Sequence, residues 1–176
     1  MNNFKRWDCP IVAWAVFATV FASAFATAFA TTLGAAPATA QLLPADNLAQ
    51  AATEARTRRV PVLIAFMQQS CPYCAIARRD YLIPLQTDPQ WKNRVLIREI
   101  DVDRSTEMRD FTGSATTHRA FARSHDVTRV PTLIVFDADG KPVGQPIKGL
   151  LGEDFYRLYI EQAIEAGLTR MRPRGR

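Results

Sequence analysis

The sequence predicts an α/β domain built on a four-stranded mixed β-sheet, with helices on both faces and an extra N-terminal helix. Three observations lead to this prediction. Short apolar runs recur along the chain and are typical of buried strands. A helical segment between the first two runs is long enough for a parallel crossover. A short turn joins the last two runs, which indicates an antiparallel hairpin.

The first half contributes two helices and one central strand. A helix is predicted over 46–58 with Asp46 as its cap, and its apolar side carries Leu48, Ala51, Ala52 and Ala55. The run VPVLIAF at 60–66 predicts a buried strand. A second helix begins at Cys71, with Pro72 in its first turn, where a missing N–H costs no hydrogen bond. Pro84 is expected to end that helix.

The second half contributes the remaining three strands and two helices. The turn Asp137-Ala138-Asp139-Gly140 places Gly where a positive φ is needed, and it predicts the hairpin. The resulting order is β-α-β-α-β-β-α after the extra helix. The predicted strands cover 94–102, 132–137 and 142–148, and the predicted helices cover 116–124 and 153–166.

Residues 1–40 resemble an export signal rather than part of the domain. Lys5 and Arg6 are basic, and a long apolar run follows, with no charged residue between Asp8 and Asp46. The run closes with Ala-Thr-Ala at 38–40, so cleavage after Ala40 by a signal peptidase is expected. The run is also long enough to span a bilayer, and an uncleaved anchor over 10–35 is the alternative. Both interpretations predict a periplasmic, exported protein, soluble or anchored.

The net charge of +5 does not indicate a nucleic-acid partner. Without residues 1–40 the chain carries 20 basic and 16 acidic side chains, and no basic stripe is interleaved with aromatic residues. The predicted domain therefore spans 41–169. Residues 170–176 are expected to form a basic disordered tail, because they concentrate Arg170, Arg172, Arg174 and Arg176.

Cys71 and Cys74 are a lone cysteine pair in the predicted domain, since Cys9 precedes the apolar run. Two cysteines cannot form a multi-bridge framework. No second C-x-x-C and no histidine at ligand spacing would complete a four-coordinate zinc site. We predict a redox dithiol that needs no metal and no cofactor. Two alternatives stay open, a Cu(I)-handling site made of both thiolates and a static bridge in a non-catalytic binding domain.

The chain resembles the thioredoxin superfamily in two motifs. CPYC opens a helix after a buried strand, and Val130-Pro131-Thr132 stands before the third core strand, sixty residues after Cys71. Further phrases, DVD, VPTLIVFD and G…DFY, are similar to periplasmic thioredoxin-like proteins of bacteria, including those linked to sulfur oxidation and cytochrome maturation. The resemblance covers roughly residues 58–166. It implies a thioredoxin-like fold, a cis peptide bond at Pro131, and thiol–disulfide oxidoreductase activity.

The resemblance also assigns roles to individual residues. Cys71, at a helix N-terminus that favours its thiolate, is the expected nucleophile, and Cys74 the resolving thiol. Pro131 is expected beside the thiols, leaving the backbone of Val130 free to pair with an extended substrate. Pro72 and Tyr73 are the other expected substrate contacts.

Two departures from the thioredoxin pattern affect the site. Ser70 stands where thioredoxins have Trp, and Ala65 stands where they bury an acid. Glu99 on the second strand is a candidate for the missing proton acceptor, although a solvent-facing strand residue is the alternative. His118 and His125 are expected to be solvated surface residues.

The direction of electron flow does not follow from these residues. Reduction of disulfides in specific exported proteins is favoured, because the chain is small and most resembles dedicated periplasmic reductases. Residues 41–59 are too short for a dimerising arm, so a monomer is expected. A membrane electron donor is the expected partner for recycling.

Overall fold

The computed structural model of the protein describes residues 40–150 and 152–172. Its strands are β1 (Val62–Met67), β2 (Leu96–Asp101), β3 (Glu107–Arg109), β4 (Ala115–Thr117), β5 (Thr132–Phe136) and β6 (Pro142–Lys148). Its helices are α1 (Leu48–Arg58), α2 (Pro72–Ile76), α3 (Ile83–Thr87), α4 (His118–Ser124) and α5 (Glu153–Met171). Four strands form a mixed sheet in the order β2-β1-β5-β6, which confirms the predicted fold class.

The sheet combines one parallel and two antiparallel pairings. β1 runs parallel to β2, as the crossover between them predicts, and β5 runs antiparallel to both β1 and β6. The chain before α1 also pairs briefly with the outer edge of β2, where Pro44 lies opposite Glu99. β3 and β4 form a separate two-stranded ribbon that the sequence does not predict, because both strands are short and polar.

Helix α1 begins one residue later than it would with the predicted cap, Asp46. Its cap is Asn47, whose Oδ1 accepts a hydrogen bond from the N–H of Gln50 at 3.0 Å. The carbonyl of Asp46 instead accepts the N–H of Arg109, which ties this residue to β3. The predicted apolar side is confirmed, since Leu48, Ala51, Ala52 and Ala55 are all buried.

The helix that begins after Cys71 does not end at Pro84. A π-helical turn over Ala77–Leu82 follows α2, and Pro84 lies in the first turn of α3, which continues to Thr87. The wider π turn changes the hydrogen-bond register just before the proline, and a first-turn proline needs no N–H partner within its helix. The prediction of a stop at Pro84 was therefore wrong.

Helix α5 is longer than the sequence suggests. It extends to Met171, and Arg170 is helical, with its Nε 3.6 Å from Asp137 Oδ2. The first residues of the predicted disordered tail thus belong to the folded domain, where Arg170 meets the carboxylate of the residue that follows β5. Residues 173–176 lie outside the described residues.

Buried residues form one cluster on each face of the sheet. We call one the dithiol face, which carries Ala65 and Met67 and packs against Cys74, Leu82 and Tyr156. The other is the aromatic face, which carries Phe66 and Phe136 and packs against α1 and α4. Side chains alternate between the two faces along each strand.

The predicted export segment cannot be compared with the structure. The signal sequence over 1–40 and the anchor over 10–35 lie outside the described residues, except for Ala40 itself. Within residues 40–150 and 152–172, no helix has the length and apolar character needed to cross a bilayer.

Candidate active site

Cys71 lies at the N-terminus of α2, in the loop that follows β1. It is the cap residue of the helix, with φ −91° and ψ 113°, and its Sγ accepts a hydrogen bond from the N–H of Cys74 at 3.1 Å. Pro72 occupies the first helical position, as predicted. Both cysteines are free thiols in this structure. An N–H aimed at the sulfur of Cys71 stabilises negative charge there.

The two thiols differ in exposure, and burial affects the pKa of Cys74. Cys71 is half-buried, whereas Cys74 has no accessible surface. Burial raises the pKa of Cys74 to about 12, and a hydrogen bond with Cys71 adds to the effect. Only a thiolate attacks a disulfide. As a buried neutral thiol, Cys74 is therefore not ready to attack, whereas the sulfur of Cys71 belongs to a partly exposed residue.

Arg78 is the charged residue nearest to this pair along the helix. It follows Cys74 by four residues, which places both on one side of the helical segment. Its guanidinium makes two hydrogen bonds to Glu99, from Nε to Oε2 at 2.8 Å and from Nη2 to Oε1 at 2.7 Å. Its positive charge opposes the rise in the pKa of Cys74. The ion pair with Glu99 in turn raises the pKa of Arg78.

Glu99 lies on the dithiol face, next to the position of the missing acid. In the parallel pairing of β1 and β2, Glu99 is the register partner of Ala65. Its side chain is 20% exposed, and both carboxylate oxygens accept from Arg78. The alternative of a simply solvent-facing residue does not describe this side chain. Its predicted role as proton acceptor for Cys74 stays a prediction.

The Val130–Pro131 peptide bond is cis, and it lies directly before β5. The carbonyl of Pro131 accepts the N–H of Gly149 at 2.7 Å, and Thr132 Oγ1 donates to the carbonyl of Arg129. Val130 packs against the same cluster as Cys71. Among the described residues, the backbone of Val130 makes no hydrogen bond.

Pro72 and Tyr73 lie beside Cys71 on the protein surface. Tyr73 is 62% exposed, the largest fraction among the exposed large hydrophobic side chains of the described part of the chain. An exposed aromatic ring beside a partly exposed thiol suits contact with a partner. The predicted substrate role of both residues remains a prediction.

Sequence reasoning was wrong about the two histidines. His118 is 1% exposed, and its Nδ1 accepts the N–H of Asp101 at 3.2 Å. His125 is half-buried, and its ring lies 4.4 Å from that of Phe121. Helical spacing could have revealed His118, since it shares the buried side of α4 with Phe121 and Ala122.

Tyr156 is a second residue that the sequence analysis missed. It is fully buried on the dithiol face, and its hydroxyl has no hydrogen-bond partner among the described residues. Burial raises its pKa, and the charges of Cys74 and Tyr81 act in the same direction. Its ring packs edge-on against that of Tyr81 at 5.0 Å. In the sequence it is the last residue of the DFY phrase, which supports the resemblance but gives this tyrosine no role of its own.

A cavity of about 400 Å³ adjoins the dithiol loop. Its wall includes Gln69 from that loop, the Arg78–Glu99 pair, and Asp101, Arg104 and His118. Within residues 40–150 and 152–172, no three His, Cys, Asp or Glu side chains are arranged to hold a metal ion.

A mixed sheet with a dithiol at the start of the helix after β1, and a cis-proline before β5, defines a protein of the thioredoxin-fold class. A family model described as thioredoxin-like domain matches residues 48–164. The chain therefore belongs to the thioredoxin-like domain family. No curated protein matches the chain.

Several solved thioredoxin structures are similar to the chain. Oxidised mitochondrial thioredoxin 3 of Saccharomyces cerevisiae is 20% identical with a TM-score of 0.47, covering 70% of this chain and 93% of its own. Oxidised thioredoxin O2 of Arabidopsis thaliana is 18% identical with a TM-score of 0.49, covering 71% and 96%. A thioredoxin-fold protein of Helicobacter pylori is 16% identical with a TM-score of 0.48, covering 64% and 79%. The family assignment rests on the family model.

Proposed function

We propose that this protein is a thiol–disulfide oxidoreductase that reduces disulfides in specific exported proteins. One observation carries the proposal. A half-buried Cys71 caps a helix and accepts the N–H of Cys74, while Cys74 behind it is fully buried with a raised pKa. This asymmetry supplies an accessible attacking sulfur and a second thiol that stays neutral until it is needed.

The reaction proceeds in two exchanges. The thiolate of Cys71 attacks one sulfur of the substrate disulfide, and the other substrate sulfur leaves and takes up a proton. Cys74 then loses its proton and attacks the sulfur of Cys71 in the mixed disulfide. The second substrate sulfur leaves as a thiol, and a Cys71–Cys74 disulfide forms. Two electrons and two protons have passed to the substrate.

Arg78 and Glu99 assist the second exchange. Cys74 must become a thiolate inside the protein, where its charge is poorly solvated. The guanidinium of Arg78, one turn further along the helix, favours that charge, and Glu99 holds the guanidinium in place with two hydrogen bonds. In this proposal Glu99 is a positioning residue, and proton acceptance by Glu99 is the competing role.

The substrate approaches as an extended chain across the cis-proline loop. The unpaired backbone of Val130 offers one donor and one acceptor to such a chain. Pro131 shapes this loop, and the exposed Tyr73 and Pro72 provide an apolar contact next to the nucleophile. These contacts suit a polypeptide substrate.

We propose that the protein works in the periplasm, to which the export signal in residues 1–40 directs it. The oxidised dithiol must be reduced again in each cycle, and a membrane electron donor is the proposed source of electrons. The protein is proposed to work as a monomer, without a nucleic-acid partner or a cofactor.

The test is the separate removal of each sulfur. Cys71→Ser should abolish attack, because Cys74 is buried and protonated. Cys74→Ser should retain attack but leave partners covalently attached to Cys71. The trapped partners are separated without reductant from a periplasmic and membrane extract and identified by mass spectrometry. The double variant Cys71→Ser/Cys74→Ser is the matched control.

The identity of the trapped partners decides the direction. A membrane donor together with a small set of folded exported proteins supports a reductase, and newly exported reduced proteins would indicate an oxidant instead. If Cys74→Ser traps nothing while the wild-type pair binds Cu(I) tightly, the copper-handling alternative replaces this proposal. A pair that resists reduction would indicate a static bridge.

A further inference from the structure

The buried cluster of the dithiol face includes a hydroxyl group without a partner. Tyr156 is fully buried, and among the described residues its phenolic oxygen makes no hydrogen bond. A buried donor without an acceptor costs free energy, and such groups are rare in folded proteins. A phenylalanine would fill the same space without that cost. The hydroxyl therefore does not serve the stability of the fold, and its position relative to the dithiol indicates what it does serve.

The fold brings Tyr156 and the buried thiol to the same end of the sheet. Phe66 at the end of β1 pairs with Thr132 at the start of β5, and Thr132 pairs with Lys148 at the end of β6. Helix α2 follows β1, helix α5 follows β6, and both helices pack on the dithiol face. Cys74 and Tyr156 each lie in the first turn of their helix. The thiol and the phenol thus lie at the same end and on the same face.

The ring of Tyr156 also contacts the helical segment that carries Cys74. It packs edge-on against Tyr81, with the ring centroids 5.0 Å apart. Cys74, Ala77 and Tyr81 recur every three to four residues, so they lie on one side of that segment. The first two are buried in the cluster of the dithiol face, and Tyr81 packs against it. The phenol therefore lies against the side of the active-site helix that carries the buried thiol.

The phenol keeps its proton in this environment. Burial raises the pKa of Tyr156, and the negative charge of an ionised Cys74 raises it further. A neutral phenol is a hydrogen-bond donor. The group beside the buried thiol is therefore an O–H dipole rather than a second negative charge.

We propose that the hydroxyl of Tyr156 stabilises the thiolate of Cys74 while that thiolate resolves the mixed disulfide. This role rests on the proposed function, in which Cys74 attacks the sulfur of Cys71. Among the described residues no acceptor holds the phenolic proton, so the O–H bond is free to turn its positive end toward the sulfur as the negative charge forms. Inside the protein such a dipole is only weakly screened. The phenol keeps its own proton throughout and is not the base that deprotonates Cys74.

The resolution step is measured with dithiobis-nitrobenzoate, an aromatic disulfide that replaces the biological substrate. Attack by Cys71 forms a mixed disulfide and releases one coloured thionitrobenzoate ion. Attack by Cys74 on the sulfur of Cys71 then forms the Cys71–Cys74 disulfide and releases the second ion. Stopped-flow absorbance separates the two releases, because only the rate of the first depends on the reagent concentration.

Tyr156→Phe should slow the second release about tenfold, the equivalent of one pKa unit at Cys74, and leave the first release unchanged. The plot of the second rate against pH should be displaced by about one unit toward higher pH, because a higher pH is then needed to ionise Cys74 to the same extent. The urea midpoint of unfolding should stay the same or rise, since the variant buries no unpartnered donor. A purely structural role of Tyr156 predicts the opposite, a loss of stability.

Tyr159→Phe is the matched control, since it removes the same hydroxyl from an exposed position of the same helix. It should leave both releases and the urea midpoint unchanged. The double variant Tyr156→Phe/Glu99→Gln should resolve more slowly than either single variant, because the two side chains act on Cys74 from different elements, α5 and β2.

Three results would overturn the proposal. Tyr156→Phe leaves the second release unchanged, or it slows both releases together and lowers the urea midpoint, or the double variant is no slower than Glu99→Gln alone. A wild-type protein that makes only the first release would instead refute the proposed function, and the role of Tyr156 with it, because Cys74 would then not resolve the mixed disulfide.

Discussion

The two faces of the sheet contain similar amounts of buried side chain but use them differently. On the aromatic face, rings pack on one another, with centroids 5.1 Å apart for Phe111 and Phe136 and 6.3 Å apart for Phe66 and Phe121. On the dithiol face, the buried set includes a thiol and the unpartnered hydroxyl of Tyr156. The aromatic face is thus packed mainly by apolar rings, whereas the dithiol face buries a thiol and a phenol whose ionisation is costly.

The two faces also differ in their ion pairs, as two neighbouring residues of β2 show. Arg98 and Glu99 alternate to opposite faces, and each belongs to an arginine–glutamate pair. Arg98 makes one contact of 3.3 Å with Glu54, and burial lowers its pKa. Arg78 makes two shorter bonds to Glu99, and its pKa is raised. The two short hydrogen bonds between Arg78 and Glu99 outweigh the cost of burying the charged arginine, so its pKa rises. The single long contact between Arg98 and Glu54 does not outweigh that cost.

The largest expected effect on stability comes from a substitution on the aromatic face. Phe136→Ala should lower the free energy of unfolding by about 3–5 kcal/mol, because it leaves a cavity in a fully buried cluster. Urea unfolding followed by circular dichroism measures this loss. The reduction potential of the dithiol should not change. Phe136→Leu is the milder companion, and a shift in potential with either variant would contradict the separation of the two faces.

Substitutions on the dithiol face should change the rate of thiol–disulfide exchange rather than the free energy of unfolding. Arg78→Gln and Glu99→Gln should each slow resolution of the mixed disulfide about tenfold, the equivalent of one pKa unit at Cys74, and leave initial attack unchanged. Single-turnover stopped-flow kinetics separates the two steps. Arg98→Gln, on the opposite face, is the matched control and should not affect either step. If only Glu99→Gln slows resolution, Glu99 is the proton acceptor rather than the residue that positions Arg78.

A smaller effect is expected from the buried imidazole of His118. Burial lowers its pKa, so below about pH 6.5 the unfolded chain binds more protons than the folded protein. Stability should therefore fall as the pH falls through the unfolded-state pKa, by at most about 1 kcal/mol between pH 7 and pH 5.5. His118→Asn should remove this contribution. Urea unfolding at both pH values tests it, and identical pH dependence in the two proteins would show that the ring is not kept neutral.

Structural features that depend on the residues of a single segment were predictable from the sequence. The apolar runs at 60–66 and 132–137 identified β1 and β5, since strands buried on both faces contain few polar residues. The more polar RVLIREIDV identified β2 after a crossover long enough for parallel pairing. The Asp137–Gly140 turn identified the β5–β6 hairpin, and its Gly has φ +75°. The bounds of Pro142–Lys148 agree with the prediction. CPYC after a strand placed Cys71 at a helix N-terminus, because Pro72 suits the first helical position.

Contacts between distant segments account for the wrong predictions. Asp46 failed as a cap because its carbonyl bonds to β3, and Arg170 is ordered beside Asp137 rather than in a tail. His118 was expected at the surface, and its burial depends on a bond to Asp101 across the fold. Local propensity contains no information about partners far away in the chain.

The sequence by itself determined the fold class, the pair of thiols and the proline that precedes β5, since each depends on residues close together in the chain. Only the tertiary structure decided which charges surround them. The pairing of Arg78 with Glu99 requires β2 to lie parallel to β1, so that Glu99 stands beside Ala65 on the dithiol face. The cavity at His118 likewise needs α4, β2 and the dithiol loop to meet. Electrostatic interactions depend on distance in space, and folding alone sets that distance.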